Sequence, residues 1–247
     1  MASHNLSTAL LALLLTLLLA VAATAEAKVY LVAAGIADYP GNSNDLLLPA
    51  ADARTIARLY NKNSDAEIML LLDANATAAN ITAAIGQVLG KAGKGDIAVF
   101  FFSGHGVKGG FVAYDKVLTY SQVRNAMARC KSDNKMIFAD ACFSGKIRTT
   151  DDRQNDQVEA AGKANVMLFL SSRSNETSIE RRGMKNGFFT TYLQRALRGG
   201  ADTNRDRTIT ARELYNYVHS GVAKISGGRQ HPVMWGNFPD TMPVMVW

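Results

Sequence analysis

The sequence predicts an α/β fold with a mostly parallel central sheet and helices on both faces. Two patterns carry that reading. From Lys28 onward, short unbroken apolar runs alternate with segments of helical periodicity. The runs are continuous rather than alternating, as strands become when both faces of their sheet are covered. In chain order the strands are expected at Val29 to Ala34, Glu67 to Leu72, Ile97 to Phe102, Met136 to Ala139 and Val166 to Leu170. The helices are expected at Pro49 to Tyr60, with Asp52 in its first turn, then Thr77 to Leu89, Ser121 to Arg129, Phe188 to Leu197 and Ala211 to Ile225. Strand and helix in turn make a parallel sheet joined by right-handed crossovers, so every strand ends on one edge. The loops at Asp38 to Asp45, Gly145 to Gly162 and Ser174 to Gly187 leave from that edge and are candidates for ligand contact.

The 247 residues, 48% apolar and 19% charged, exclude disorder as the main state, and no repeat or linker divides the chain. The N-terminus reads differently. Ala9 to Ala23 is a Leu/Ala/Val run with one Thr, followed by the small-x-small triplets Ala23-Thr24-Ala25 and Ala25-Glu26-Ala27. Residues 1–27 are therefore expected to be a secretory signal peptide, too short to span a membrane and without a basic stop-transfer cluster, and residues 28–247 one domain. The protein is expected to be secreted or periplasmic, with no stable membrane insertion after signal removal. Losing the segment shifts the net charge from +6 to +7, since Glu26 is its one charged side chain. The basic excess is dispersed and forms no stripe interleaved with aromatics, which argues against nucleic acid as a partner.

Two phrases carry the chemistry. Phe101-Phe102-Ser103-Gly104-His105-Gly106 and Ile137-Phe138-Ala139-Asp140-Ala141-Cys142-Phe143-Ser144-Gly145 each run from an apolar strand to a reactive side chain beside glycine. The carboxyl ends of neighbouring parallel strands open on one crevice, so residues just past two such ends meet there. A thiol with a pKa near ~8.5 is mostly protonated at neutral pH and needs an imidazole close by to act as a nucleophile. With His4 in the leader, the histidines are His105, His219 and His231 and the cysteines Cys130 and Cys142. Only His105 with Cys142 puts both partners at strand ends. Cys130 precedes the strand that Cys142 follows, which is poor geometry for a disulfide. A serine hydrolase is disfavoured, because Ser103-Gly104-His105 lacks the G-x-S-x-G elbow.

These phrases, with Leu48-Pro49-Ala50-Ala51-Asp52-Ala53, Ser171-Ser172-Arg173-Ser174-Asn175-Glu176, Gly187-Phe188-Phe189-Thr190 and Gln230-His231-Pro232, resemble the caspase-like cysteine peptidases, specifically the metacaspase-type and bacterial caspase-homologue branch. The resemblance implies a three-layer sandwich and a Cys/His dyad working through a thioester acyl-enzyme on peptide or protein substrates. It makes Cys142 the nucleophile, His105 the group that protonates the leaving amine, and the backbone N–H groups of Gly106 and Cys142 the oxyanion donors. It places Asp52 and Asp140 in an acidic S1 pocket and Ser171 among the substrate contacts. A carboxylate there binds Arg bidentately or Lys as a point charge, so cleavage after Arg or Lys is expected. The competing reading makes Asp52 a helix-dipole acid and Asp140 a hydrogen-bonded strand-end carboxylate. Two rival functions stay open: a legumain-like or transamidase activity, and a catalytically silent binding scaffold.

A second motif lies late in the chain. Asp202, Asn204, Asp206, Thr208 and Glu213 fall at the ligand positions of the calcium-loop template D-x-N-x-D-x-x-I-x-x-x-E, with Arg207 where glycine usually makes the turn. The alternative is a capping box, Thr210 with Glu213, behind ordinary turn formers. No cofactor is expected to be required for the chemistry; Ca2+ is the one ion the motif suggests.

Overall fold

The structure, a computed structural model, describes residues 27–107, 109–142, 166–172 and 183–247. The expected leader up to residue 26, the segment 143–165 and residues 173–182 lie outside the described residues; Cys142 is described by its backbone.

A six-strand path forms the main sheet, in the order β2-β1-β3-β6-β7-β9. The strands are β1 (Val29–Gly35), β2 (Ala66–Leu72), β3 (Ile97–Val107), β6 (Asn134–Cys142), β7 (Val166–Leu170) and β9 (Val233–Trp235). All neighbours are parallel except β9, which runs against β7. A hairpin, β4 (Gly110–Val112) and β5 (Val117–Thr119), folds back from the end of β3. A separate two-stranded ribbon pairs β8 (Thr208–Thr210) with β10 (Pro243–Val246). The five helices among the described residues are α1 (Pro49–Asn63), α2 (Ala78–Val88), α3 (Tyr120–Met127), α4 (Phe188–Arg195) and α5 (Ala211–Ile225).

Alternate residues of each buried strand feed opposite cores. Val32, Phe100, Phe102 and Ile137 pack with Ile81, Ile85 and Val88 of α2 and Val123 and Met127 of α3. Leu31, Phe101, Phe138 and Phe169 pack with Ile56 and Tyr60 of α1, Phe189 and Leu193 of α4, and Leu214 and Val218 of α5. This is the expected three-layer α/β sandwich. Helix starts follow local chemistry: Pro49 stands in the first turn of α1, and the hydroxyls of Thr77, Thr119 and Thr210 cap α2, α3 and α5.

The main departure concerns the two central strands. Both outrun their expected ends at Phe102 and Ala139. Pairing of β1 with β3 stops at Gly35 and Ser103, and pairing of β6 with β7 stops at Ala139 and Leu170. β3 and β6 continue together to His105 opposite Cys142. Glycine-rich sequence has little strand preference of its own, so mutual pairing extends these strands. The hairpin supports the extension, with Phe111 stacked 4.7 Å from Phe102, centroid to centroid. The ribbon and β9 were not expected either, since strands of three or four residues carry no readable period.

Candidate functional site

His105 and Cys142 are register partners on adjacent parallel strands, a separation of about 4.8 Å between backbones. They are the last paired residues of a two-stranded tongue projecting from the sheet edge, rather than residues just past two strand ends. The His105 imidazole is held from two sides. Its Nε2 lies 2.7 Å from the Asn44 carbonyl oxygen. A carbonyl only accepts, so Nε2 carries a hydrogen and Nδ1 is left for proton exchange. Asn44 ends a short 3-10 turn, Asn42–Asn44. Its loop is tied down by Asp45, whose carboxylate accepts the Tyr39 amide at 3.1 Å, and by Asp73, which accepts the amides of Ala37 and Asp38.

Tyr39 supports the same histidine. Its hydroxyl accepts from the His105 amide at 3.0 Å and donates to the Val112 carbonyl at 2.9 Å, and its ring lies 4.8 Å from the imidazole centroid. Burial, the largest influence, pushes the Tyr39 phenol well up, so it stays protonated and able to donate. Gly104 makes this possible. Its φ of 156° disfavours a side chain, and a Cβ there would stand 2.6 Å from the Tyr39 hydroxyl. Gly104→Ala is therefore expected to displace Tyr39 from the His105 amide and to lower kcat/KM for turnover that depends on His105 about tenfold or more. A measured rate within twofold of wild type would show that this support is dispensable.

The strand that carries Cys142 is clamped from its other side. Ser171 has no exposed surface; its hydroxyl donates to the Ala141 carbonyl at 3.0 Å and receives the Ala141 amide at 3.2 Å. Gln230, also fully buried, donates to the Ser171 carbonyl at 2.9 Å. Ser171 thus positions the residue before Cys142 by backbone contact. Cys130 has the opposite character: it is buried and free, and burial raises its thiol pKa.

Asp52 and Asp140 come together beneath the tongue, at 2% and 8% exposure. Asp52 accepts from the Ser103 hydroxyl at 2.9 Å, the Asn186 amide group at 2.8 Å and the Gly187 amide at 3.1 Å. Asp140 Oδ2 accepts the Thr190 amide at 3.1 Å and its hydroxyl at 2.8 Å. Both acids therefore serve the N-terminus of α4, and Gly187 is needed because a Cβ there would meet Asp140 at 2.5 Å. Burial first, then the neighbouring Asp140 charge, pushes the Asp52 carboxyl well above its ordinary 3.8, against the hydrogen bonds that lower it.

Asp52 holds its proton more tightly folded than unfolded, so its contribution is greatest below the unfolded value of 3.8 and is lost as pH rises through the folded pKa. Asp52→Asn keeps an acceptor and removes the titration. It is expected to raise Tm at neutral pH and flatten the stability profile above pH 4; melting curves from pH 4 to 8 check it.

In the 202–213 loop the capping box is formed: Thr210 Oγ1 accepts the Glu213 amide at 3.3 Å, and Glu213 Oε2 accepts from the Thr210 amide and hydroxyl. Glu213 Oε1 accepts from the amide and hydroxyl of Thr203. Burial would raise the Glu213 carboxyl, but these bonds outweigh it and draw its pKa down to about 2. Among the described residues no three His, Cys, Asp or Glu side chains are already gathered as a metal cage.

Sequence reasoning placed Tyr39, Asn44 and Asn186 in candidate loops and Gln230 in a resembling phrase, but assigned none of them a role. Asn44 acts through its carbonyl, which every residue possesses, so no side-chain signal could have found it. Asn186 and Gln230 are polar residues with 8% and 0% exposure, a property that the linear sequence does not display.

Comparison with known proteins agrees with this architecture. A crystal structure of a protein from Geobacter sulfurreducens superposes with a TM-score of 0.63 at 20% identity, covering 89% of this chain and 99% of that one. The crystal structure of caspase-1 from Spodoptera frugiperda superposes with a TM-score of 0.62 at 14% identity, covering 86% and 88%. At such identities the likeness is one of fold. No curated protein sequence matches the chain. The caspase domain family matches residues 30–242, nearly the whole α/β unit, and the chain belongs to that family.

Proposed function

We propose that this protein is an exported cysteine endopeptidase that cleaves after Arg or Lys through a His105/Cys142 dyad. The register of β3 on β6, which sets these two residues side by side at the projecting edge, carries the proposal. The Cys142 thiol gives its proton to His105 Nδ1 as sulfur attacks the peptide carbonyl. The N–H groups of Gly106 and Cys142 receive the oxyanion, a type of contact worth a factor of about 10² to 10³ per donor. The C–N bond then breaks, the imidazolium returns the proton to the departing amine, and water releases the acid from the thioester. Asn44, by holding Nε2–H, keeps the imidazole in the tautomer this sequence needs.

The paired acids support the choice of substrate. A cationic P1 side chain near Asp52 and Asp140 opposes the burial and the Asp140 repulsion that together raise the Asp52 carboxyl. Affinity for basic P1 residues should therefore increase as pH rises through the Asp52 titration. Export rests on the apolar run and cleavage triplets at the N-terminus. No described helix is long and apolar enough to cross a membrane.

A positional-scanning peptide library, assayed beside mass-spectrometric mapping of thiol alkylation, tests the reading. Hydrolysis confined to Arg or Lys at P1, with Cys142 labelled and Cys130 spared, supports it. Cleavage after Asn instead favours the legumain-like reading, and absence of both labelling and hydrolysis favours the silent scaffold.

A further inference from the structure

The capping box accounts for Thr210 and Glu213 but leaves Asp202 without an explanation. Asp202 Oδ2 accepts the Arg207 amide at 3.1 Å, closing the loop across five residues. Its other oxygen, Oδ1, is buried and has no hydrogen-bond partner. A buried carboxylate oxygen without a donor is costly, and natural structures place a water or an ion against such an atom. The oxygen belongs to the first position of a ligand template whose third and fifth positions, Asn204 and Asp206, turn toward each other in a 2.8 Å hydrogen bond.

We propose that residues 202–213 form a calcium site, with Asp202 Oδ1, Asn204, Asp206, the Thr208 carbonyl and Glu213 as ligands. A hard cation of this size takes six to eight oxygens in flexible geometry, and this set supplies oxygen alone. Each Glu213 oxygen accepts one backbone N–H and one threonine hydroxyl. The ion replaces the two hydroxyls, and the backbone bonds remain to orient the carboxylate. The loop backbone already takes the required turn: Arg207 occupies the glycine position at φ 67°. There the arginine bears left-handed strain and sets a positive charge beside the cation, so affinity falls in the weak range of about 10⁻⁴ to 10⁻³ M seen for extracellular modules.

The test uses the mature protein carrying Cys142→Ala, which makes it independent of peptidase activity. The Trp247 amide donates to the Arg207 carbonyl, so this tryptophan is tied to the loop backbone and serves as the donor for energy transfer to a lanthanide bound there. Terbium luminescence excited through tryptophan, with displacement by calcium, measures binding. Melting in calcium and in EGTA measures the coupled stability. At calcium ten times Kd, Tm is expected to rise about 3–6 °C. Asp202→Asn should weaken binding about tenfold or more, and Arg207→Gly should tighten it about threefold or more. A calcium-independent Tm in both wild type and Arg207→Gly, or terbium emission that calcium does not displace and Asp202→Asn does not alter, overturns the proposal. The gain expected of Arg207→Gly keeps the test decisive even if Asp202→Asn folds poorly.

Discussion

Cys142→Ala is expected to reduce kcat/KM on a peptide with Arg at P1 by about 10⁴ to 10⁶, to the limit of detection. Removing one member of a nucleophile–base unit costs nearly as much as removing both. His105→Ala should therefore fall in the same range, and the double variant should be no worse than the poorer single one. Stability should scarcely respond to the cysteine change, because the β3–β6 ladder that brings the two residues together is made of backbone pairs. A Tm within about 2 °C of wild type would show that lost activity is not lost folding. Either single variant keeping a tenth of wild-type activity would mean that the two residues do not act as one unit.

Asp140 should show the second-largest effect, and two substitutions there divide its roles. Asp140→Ala leaves the amide and hydroxyl of Thr190 buried without their acceptor at the start of α4. Hydrogen bonds to a charged group are worth about 1.5–3 kcal/mol each, and the lost repulsion with Asp52 returns part of that. A net destabilisation of about 3 kcal/mol lowers Tm by about 6–12 °C in a domain of this size. Asp140→Asn keeps an oxygen for Thr190 and removes the charge. It is expected to melt within a few degrees of wild type while losing about 10² or more in kcat/KM for Arg and Lys at P1. An Asn variant that keeps its basic preference would reduce Asp140 to a cap for α4. One that unfolds like the Ala variant would show that the charge itself holds the helix.

The opposite responses expected of the two acids come from their surroundings. Asp140 meets the N-terminus of α4, where a negative charge is favoured. Asp52 is buried against that charge and gains when its own is removed. The strand-end context of Asp140 suggested a hydrogen-bonded carboxylate, whereas the helix-first-turn context of Asp52 suggested a dipole role and not its bonds to Ser103, Asn186 and Gly187. The coupling between them depends on α1 and β6 converging across the sheet, which no local pattern records.

Much of the architecture was readable from residue order because it rests on local periodicity. The run Val166 to Leu170 and the helix Ala211 to Ile225 appear with the expected bounds. The continuous apolar character of Ile97 to Phe102 correctly announced a strand covered on both sides. Where pairing decides, the reading stopped short. The tails of β3 and β6 hold Gly104, Gly106 and Asp140, poor strand formers that are extended because they find partners: Gly104 and Asp140 in the β3–β6 ladder, and Gly106 opposite Phe111 of β4. Three-residue strands such as β8 and β9 exist for the same reason, as partners of longer or equally short neighbours.

The linear order by itself determined the alternation that makes a parallel sheet, and it determined which thiol and which imidazole lie at strand ends, because hydrophobic period and glycine punctuation are local properties. Tertiary structure alone decided that Asn44 and Tyr39 would hold His105, that Ser171 would clamp the strand of Cys142, and that two carboxylates would share one buried space. Those outcomes depend on backbone groups common to all residues and on distances between segments far apart in the chain, and chain folding sets both.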